Sequence, residues 1–238
     1  MTKIMLIDDD ESLQSLIEQI AQRDGYDFCY ASNGIDGMRI LREERPDFLI
    51  LDVMLPDING FEVCQKIRDE DRLIHVLFLS AKGDIVDKSI GFKSGADDYL
   101  VKPFQMEELS LRIQAFVRRR EQSTRVLGHK GSGSRKKEAY RVGDLEIFFG
   151  KYEVQVRGQK VQLSSREIEM LELLAGYPGS VFTREEILEK VWDDKEQVDP
   201  SCITVFARKI REKIEDNPSK PKYLITVWRV GYKIADKV

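Results

Sequence analysis

The chain has 238 residues, 42% of them hydrophobic, which suits one large domain or two of ordinary size, each with its own core. No stretch approaches the roughly 18 consecutive apolar residues of a membrane span. The opening MTKIMLIDDD turns acidic too early for a secretory signal, so a cytoplasmic chain with no membrane partner is expected. The net charge of −4 divides unevenly: 16 Lys and Arg stand against 24 Asp and Glu through position 122, and 22 against 18 after it. An acidic half followed by a mildly basic one implies a different partner for each. Cys29, Cys64 and Cys202 are scattered without metal-ligand spacing and read as reduced thiols with structural or incidental roles.

From the N-terminus, short apolar runs at 4–7, 28–31, 48–53, 76–79 and 99–101 alternate with amphipathic stretches. Leu13, Leu16, Ile17 and Ile20 share one helical face, and helical patterns also fit 34–44, 59–69, 84–94 and 106–119. Five strands alternating with five helices predict a doubly wound α/β domain around a five-stranded parallel sheet, spanning 1–122. Residues 123–139 are polar, aperiodic and contain Gly-Ser-Gly-Ser, the composition of a flexible linker. Over 140–238 the pattern changes. Strand-like pieces at 145–149, 153–156 and 160–163 lead into two helices announced by the capping boxes Ser164-x-x-Glu167 and Thr183-x-x-Glu186. A third helix over about 201–214 and a hairpin over 223–234 complete an α+β domain.

The informative residues of the first domain fall where strands end. Strand 1 runs into Asp8, Asp9 and Asp10, strand 3 ends at Asp52, strand 4 at Ser80, and strand 5 runs into Lys102-Pro103. The carboxyl ends of parallel strands line one crevice, so these groups are expected to meet there. Crowded carboxylates must share a cation or take up a proton. An all-oxygen set suits Mg²⁺, an aspartate carboxylate is a competent nucleophile for phosphoryl groups, and Lys102 can neutralise charge on such a group. Singly, each residue has a bland role: Asp10 as a helix cap, Asp52 as a solvated strand end, Lys102 as a surface lysine.

The stretches MLIDDD, LDVMLPDINGFEVC, FLSAKG and GADDYLVKPF resemble, in order and spacing, the receiver domain of two-component response regulators, whose fold is flavodoxin-like. The resemblance implies that Asp52 accepts phosphate from a sensor histidine kinase. It implies that Asp8, Asp9, Asp52 and the backbone carbonyl of Met54 hold Mg²⁺, that Ser80 and Lys102 contact the phosphoryl group, and that Tyr99 reorients with Ser80. Lys88, Asp97, Asp98, Glu108, Arg112 and Arg119 further resemble the charged set through which OmpR/PhoB-type receivers pair. The implied cross-subunit contacts are Lys88–Glu108, Asp97–Arg119 and Asp98–Arg112.

In the basic half, SCITVFARKIREKI has an apolar stripe of Ile203, Phe206, Ala207, Ile210 and Ile214. Thr204, Arg208 and Arg211 share another face, with Lys209 and Lys213 at its margins. A helix of this kind fits the DNA major groove, with arginine on base edges and lysine on phosphates. Together with PKYLITVWRVGYKI, this text resembles the OmpR/PhoB winged helix-turn-helix domain, with residues 227–232 as the wing and Trp192 and Phe206 as packing residues. The family wing commonly reads Thr-Val-x-Gly-x-Gly-Tyr, whereas the first glycine is here Arg229. In a turn requiring positive φ an arginine is strained, and it also places a cation where a narrow minor groove attracts one.

The resemblance implies a phosphorylation-controlled transcriptional regulator rather than an enzyme. Its partners would be a sensor kinase, promoter DNA, a second copy on activation and RNA polymerase. Two alternatives stand beside it. One is a DNA-binding regulator indifferent to phosphate. The other is a phosphohydrolase of the haloacid-dehalogenase type, using Asp8, Asp10 and Ser12 as its nucleophile loop and Asp97-Asp98 as its metal pair.

Overall fold

The computed structural model describes residues 1–70, 73–81, 91–128, 138–192 and 200–238. It divides into two compact units, Met1–Val117 and Arg118–Val238. The first carries β1 (Lys3–Ile7), α1 (Glu11–Asp24), β2 (Asp27–Ala31), α2 (Gly34–Glu44), β3 (Phe48–Asp52), α3 (Gly60–Asp69), β4 (His75–Ser80) and β5 (Asp98–Val101), followed by α4 (Met106–Gly128). All sheet pairings are parallel, in the order β2-β1-β3-β4-β5. The order reverses between β1 and β3, so the chain ends of these two strands border the crevice where such sheets bind ligands.

The strands form where the apolar runs predict. Every residue of β3 and β4 is buried, as expected of central parallel strands covered on both faces. Ile4, Leu6, Phe48, Ile50, Leu77 and Leu79 turn one sheet face toward Leu13 and Ile17 of α1 and Leu109, Ile113 and Phe116 of α4. Helix starts are set by short polar side chains, which satisfy backbone N–H groups that the helix leaves unpaired. Asp10 accepts from the N–H groups of Ser12 and Leu13, Asn33 from Asp36, and Asn59 from Phe61. Residues 91–94 are helical; the rest of the helix expected over 84–94, Lys88 included, lies outside the described residues.

Helix α4 extends past the predicted end at 119, through Gly128. Residues 120–127 contain no glycine or proline to stop it, and the first glycine stands at its last position. The two compact units meet inside this helix, between Val117 and Arg118.

The second unit opens with an antiparallel sheet of β6 (Ala139–Val142), β7 (Leu145–Phe148), β8 (Glu153–Val156) and β9 (Gln159–Lys160). β6 occupies the end of the expected linker, and the strand expected over 160–163 shrinks to two residues. Three helices follow, α5 (Ser165–Gly176), α6 (Arg184–Trp192) and α7 (Cys202–Ile214), then the hairpin β10 (Leu224–Val227) and β11 (Gly231–Ile234). Both capping boxes form: Glu167 with Ser164, and Glu186 with Thr183. Trp192 is buried edge-on against Phe206, the packing role expected of both.

Gly60 fixes how closely α3 approaches the end of β3. A Cβ there would lie 2.1 Å from the carbonyl oxygen of Asp52, a backbone atom that has nowhere to retreat. Gly60→Ala is expected to destabilise the first unit by about 1–3 kcal/mol, read from that unit's transition in scanning calorimetry.

Candidate functional site

β1, β3 and β5 deliver three charged groups to one point. The Lys102 ammonium lies 2.8 Å from Asp8 Oδ2 and 2.5 Å from Asp52 Oδ2, bridging two buried carboxylates. The remaining oxygens are also engaged: Asp8 Oδ1 accepts from the Asp10 N–H and Asp52 Oδ1 from the Met54 N–H. Burial holds the Asp8 carboxyl above the usual carboxylate range, against the lowering effect of Lys102. Burial works to lower the Lys102 ammonium, but its hydrogen bonds to Asp52 and Asp8 outweigh this and hold it above the ordinary lysine value. One ammonium cannot neutralise two carboxylates, so the point keeps a net negative charge.

Ser80 ends β4 beside this cluster: Leu79 is in register with Asp52, and the Ser80 carbonyl accepts from the Lys102 N–H at 2.7 Å. Tyr99 is buried in β5, its ring edge-on to Phe78. Asp9 is exposed at the mouth. Among the described residues no three acidic, His or Cys side chains converge as a closed metal cluster. The donors present are nevertheless hard oxygens on Asp8 and Asp52, already close enough to share one cation, with Asp9 and the Met54 carbonyl adjacent in sequence. That set fits Mg²⁺, which takes few protein carboxylates and keeps several waters.

Asp57 escaped the sequence reading. Its carboxylate accepts from the Gly34 and Ile35 N–H groups, each at 2.8 Å, and pins the loop that follows Asp52 to the start of α2. The Pro-Asp-x-Asn-Gly run was its only signal.

The expected dimer-face residues separate. Asp97, expected to pair with Arg119 of a second copy, is fully buried within its own unit, accepting from Arg68 at 2.6 Å and from the Val76 N–H at 2.9 Å, and so anchors α3 and β4 there. Arg119 falls in the second unit, where it donates to the Val191 carbonyl at 3.4 Å. Asp98 and Arg112 do pair, in a two-oxygen contact at 2.9 and 3.0 Å that Arg112 extends to Glu108, but they do so within one chain. The phosphohydrolase arrangement does not assemble, because Asp10 is taken up by the cap of α1 and Asp97 by Arg68.

In the second unit, Thr204 and Arg208 are exposed on α7, Lys209 is partly exposed, and Arg208 bonds only one turn away to Glu212 at 2.9 Å. Two further residues expected at the DNA have partners within the chain. The Arg211 guanidinium is spent on the Leu224 carbonyl (2.9 and 2.7 Å) and the Thr226 hydroxyl (2.7 Å), tying α7 to β10. Lys213 compensates the buried Glu167 carboxylate at 2.6 Å. Across the hairpin the Tyr232 hydroxyl donates to Thr204 Oγ1 at 3.3 Å. Arg229 sits at φ 61°, the strained conformation expected of it, and Trp228 beside it is 80% exposed. Trp228 was missed by sequence reasoning, although a tryptophan inside a turn was the available signal.

The raised Asp8 carboxyl has a sign that can be tested. Between its unfolded and folded values the native chain binds a proton the unfolded chain has lost, so stability falls as pH rises through that window. Asp8→Asn removes this penalty and is expected to melt higher than the parent at neutral pH, with the gap closing below the ordinary carboxylate range. A gap in calorimetric midpoint that is the same at both pH values would refute the assignment.

Residues 4–114 match the model of the response regulator receiver domain, and residues 158–234 the model described as transcriptional regulatory protein, C terminal. The chain is 37% identical to the uncharacterized transcriptional regulatory protein YcbL of Bacillus subtilis (strain 168), over 98% of this chain and 100% of that one. It is 35% identical to the alkaline phosphatase synthesis transcriptional regulatory protein PhoP of the same organism, over 98% and 97%. Among solved structures, the response regulator DrrB, a Thermotoga maritima OmpR/PhoB homologue, is 34% identical over 99% of both chains, with a TM-score of 0.51. With a receiver sheet, a helix-and-hairpin regulatory domain and full-length relatives of this kind, the chain belongs to the OmpR/PhoB family of two-component response regulators, which are transcriptional regulators.

Proposed function

We propose that Asp52 is the phosphoacceptor of this regulator. The carrying observation is the Lys102 ammonium held between Asp8 and Asp52 at the ends of three parallel strands. An Asp52 carboxylate oxygen attacks the phosphorus of a kinase phosphohistidine, the P–N bond breaks, and an acyl phosphate remains on Asp52. Asp8, Asp9, Asp52 and the Met54 carbonyl would hold Mg²⁺, which spreads charge from the phosphoryl oxygens when bound. Lys102 moves its hydrogen bond from the Asp52 carboxylate to a phosphoryl oxygen, and the Ser80 hydroxyl donates to another. Tyr99, packed on the neighbouring strand, follows Ser80 and carries the change to the surface of β5 and α4.

Asp98, Glu108 and Arg112 lie along that route, and with Lys88 they form the surface through which two activated receivers pair. The closed Asp98–Arg112–Glu108 set gives this surface a fixed charge pattern, which serves register more than affinity. Pairing brings two second units to adjacent half-sites of promoter DNA and raises their effective concentration. On each, Thr204, Arg208 and Lys209 of α7 meet the major groove, and Arg229 lies at the hairpin tip. RNA polymerase is the downstream partner of the assembled complex.

The test treats the full chain with phosphoramidate and Mg²⁺, then follows intact mass and selection of DNA fragments from random-sequence duplex. One phosphoryl group is expected on the wild type, none on Asp52→Asn and none after chelation of Mg²⁺, with DNA recovery rising only where phosphate is taken up. Wild-type uptake by Asp52→Asn sinks the phosphoacceptor assignment, whereas equal DNA recovery in all samples favours the phosphate-indifferent regulator. On a recovered site, Arg208→Ala is expected to weaken binding by about 1–3 kcal/mol and relax the preference at one base pair. Arg211→Ala should instead lower the melting point of the second unit.

A further inference from the structure

Residues 53–59 separate Asp52 from α3, and the Met54 carbonyl assigned to the metal lies among them. A main-chain ligand cannot be re-aimed by rotating a side chain, so its place depends on what holds the loop. The base of this loop is closed. The Val53 N–H donates to the Leu79 carbonyl at 3.1 Å, the Gly60 N–H to the Val53 carbonyl at 3.0 Å, and the Met54 N–H to Asp52 Oδ1 at 2.8 Å. Pro56 restricts Leu55 before it to extended backbone. At the far side Asp57 reaches another segment: Oδ1 accepts from the Gly34 N–H and Oδ2 from the Ile35 N–H, each at 2.8 Å. Two bonds to one planar carboxylate fix direction as well as distance. Ile58 follows it inward, since a Cβ at Gly34 would lie 2.5 Å from Ile58 Cγ1.

Capping α2 does not by itself call for this tie. Asn33 is the local cap, accepting from the Asp36 N–H at 2.9 Å. Asp57 and Ile35 are both exposed, so water would serve that bond as well. What Asp57 adds is a link between segments 23 residues apart. Desolvation works to raise its carboxyl, but hydrogen bonds from the Gly34, Ile35 and Ile58 N–H groups outweigh this and hold it below the usual carboxylate range. The segment it grips also carries Ala31, whose carbonyl accepts from the Asp8 N–H at 3.2 Å. Asp8 from one side and the loop of Met54 from the other are thereby referred to one short stretch, residues 31–35.

We propose that Asp57 is a positioning residue for the metal site of this receiver: by tying residues 53–59 to the start of α2, it holds the Met54 carbonyl in register with Asp8 and Asp52. The proposal rests on the phosphoacceptor reading of Asp52 and adds to it a residue that touches neither metal nor phosphate. Loss of the tie leaves the Asp8 and Asp52 carboxylates on their strands and Lys102 between them. The cost therefore falls on metal affinity rather than on the nucleophile.

The test compares the full chain with Asp57→Ala, Asp57→Asn and Asn33→Ala. Metal binding is read without any phosphodonor, by calorimetric titration with Mg²⁺ and by paramagnetic resonance of Mn²⁺. Phosphate uptake is read as intact mass against Mg²⁺ concentration at fixed phosphoramidate. Asp57→Ala is expected to weaken metal binding about ten-fold and to raise the Mg²⁺ half-saturation of uptake to match, with the rate at saturating Mg²⁺ unchanged. Asp57→Asn keeps one acceptor oxygen and should recover part of the loss. Asn33→Ala removes the local cap, so it should lower the melting point of the first unit and bind metal as wild type does. Wild-type metal affinity in Asp57→Ala overturns the proposal while leaving the phosphoacceptor reading intact. A lower rate at saturation with unchanged half-saturation also overturns it, since that signals fewer folded receivers. An equal loss of affinity in Asn33→Ala does the same, because capping of α2 then accounts for the effect. Should Asp57→Ala not fold, a smaller weakening is expected in Asp57→Asn, and none overturns the proposal. A wild type that takes up no phosphate, or Asp52→Asn that takes it up equally, removes the phosphoacceptor reading itself.

Discussion

Two carboxylates and one ammonium, withdrawn from water at the ends of parallel strands, set the terms for the receiver. Lys102 can balance one of the charges on Asp8 and Asp52, and the surplus must be met by another cation, a proton or a departing charge. A further anion is accepted at such a cluster only together with a cation. The rest of the unit holds this imbalance in place. Gly60 admits α3 to the back of Asp52, Asp10 caps α1 just beyond Asp8, and Asp57 fastens the following loop to α2.

The second unit applies charge differently. Lys213 offsets the buried Glu167, which also closes the capping box of α5, so one carboxylate starts a helix and fixes the far end of another. Arg211 is half-withdrawn from water, and burial holds its guanidinium below the usual arginine value. Three hydrogen bonds to two oxygen partners offset the cost of that position. Arg208 on the outer face of α7 and Arg229 at the hairpin tip stay exposed.

Much of this was legible in the sequence because spacing carries it. Apolar runs of period and length suited to parallel strands placed Asp8, Asp52, Ser80 and Lys102 at strand ends, and the two capping boxes formed as written. The charged residues of helices and strand starts were less legible. Asp97 and Asp98 are neighbours in the chain, yet one is sealed against Arg68 and the other meets Arg112 at the margin. Arg208 and Arg211 are three residues apart on one helix face, and only the second is claimed by β10. Whether a charged side chain turns outward depends on which oxygens the tertiary fold brings near it, and periodicity holds no record of that. The end of α4 was misjudged for a related reason: polar composition read as linker, while the residues themselves favour helix.

The cross-ties of Arg211 and Tyr232 make α7 and the hairpin a single head whose exposed faces keep a fixed span. A head of constant span cannot stretch to suit a groove of different width. Where both faces meet DNA as proposed, any misfit is taken up by the duplex, which must bend, narrow or unstack to bring them into register. The stiffness of the DNA between those faces then enters the choice of site, and base pairs that no side chain touches acquire a say in which promoters this regulator holds.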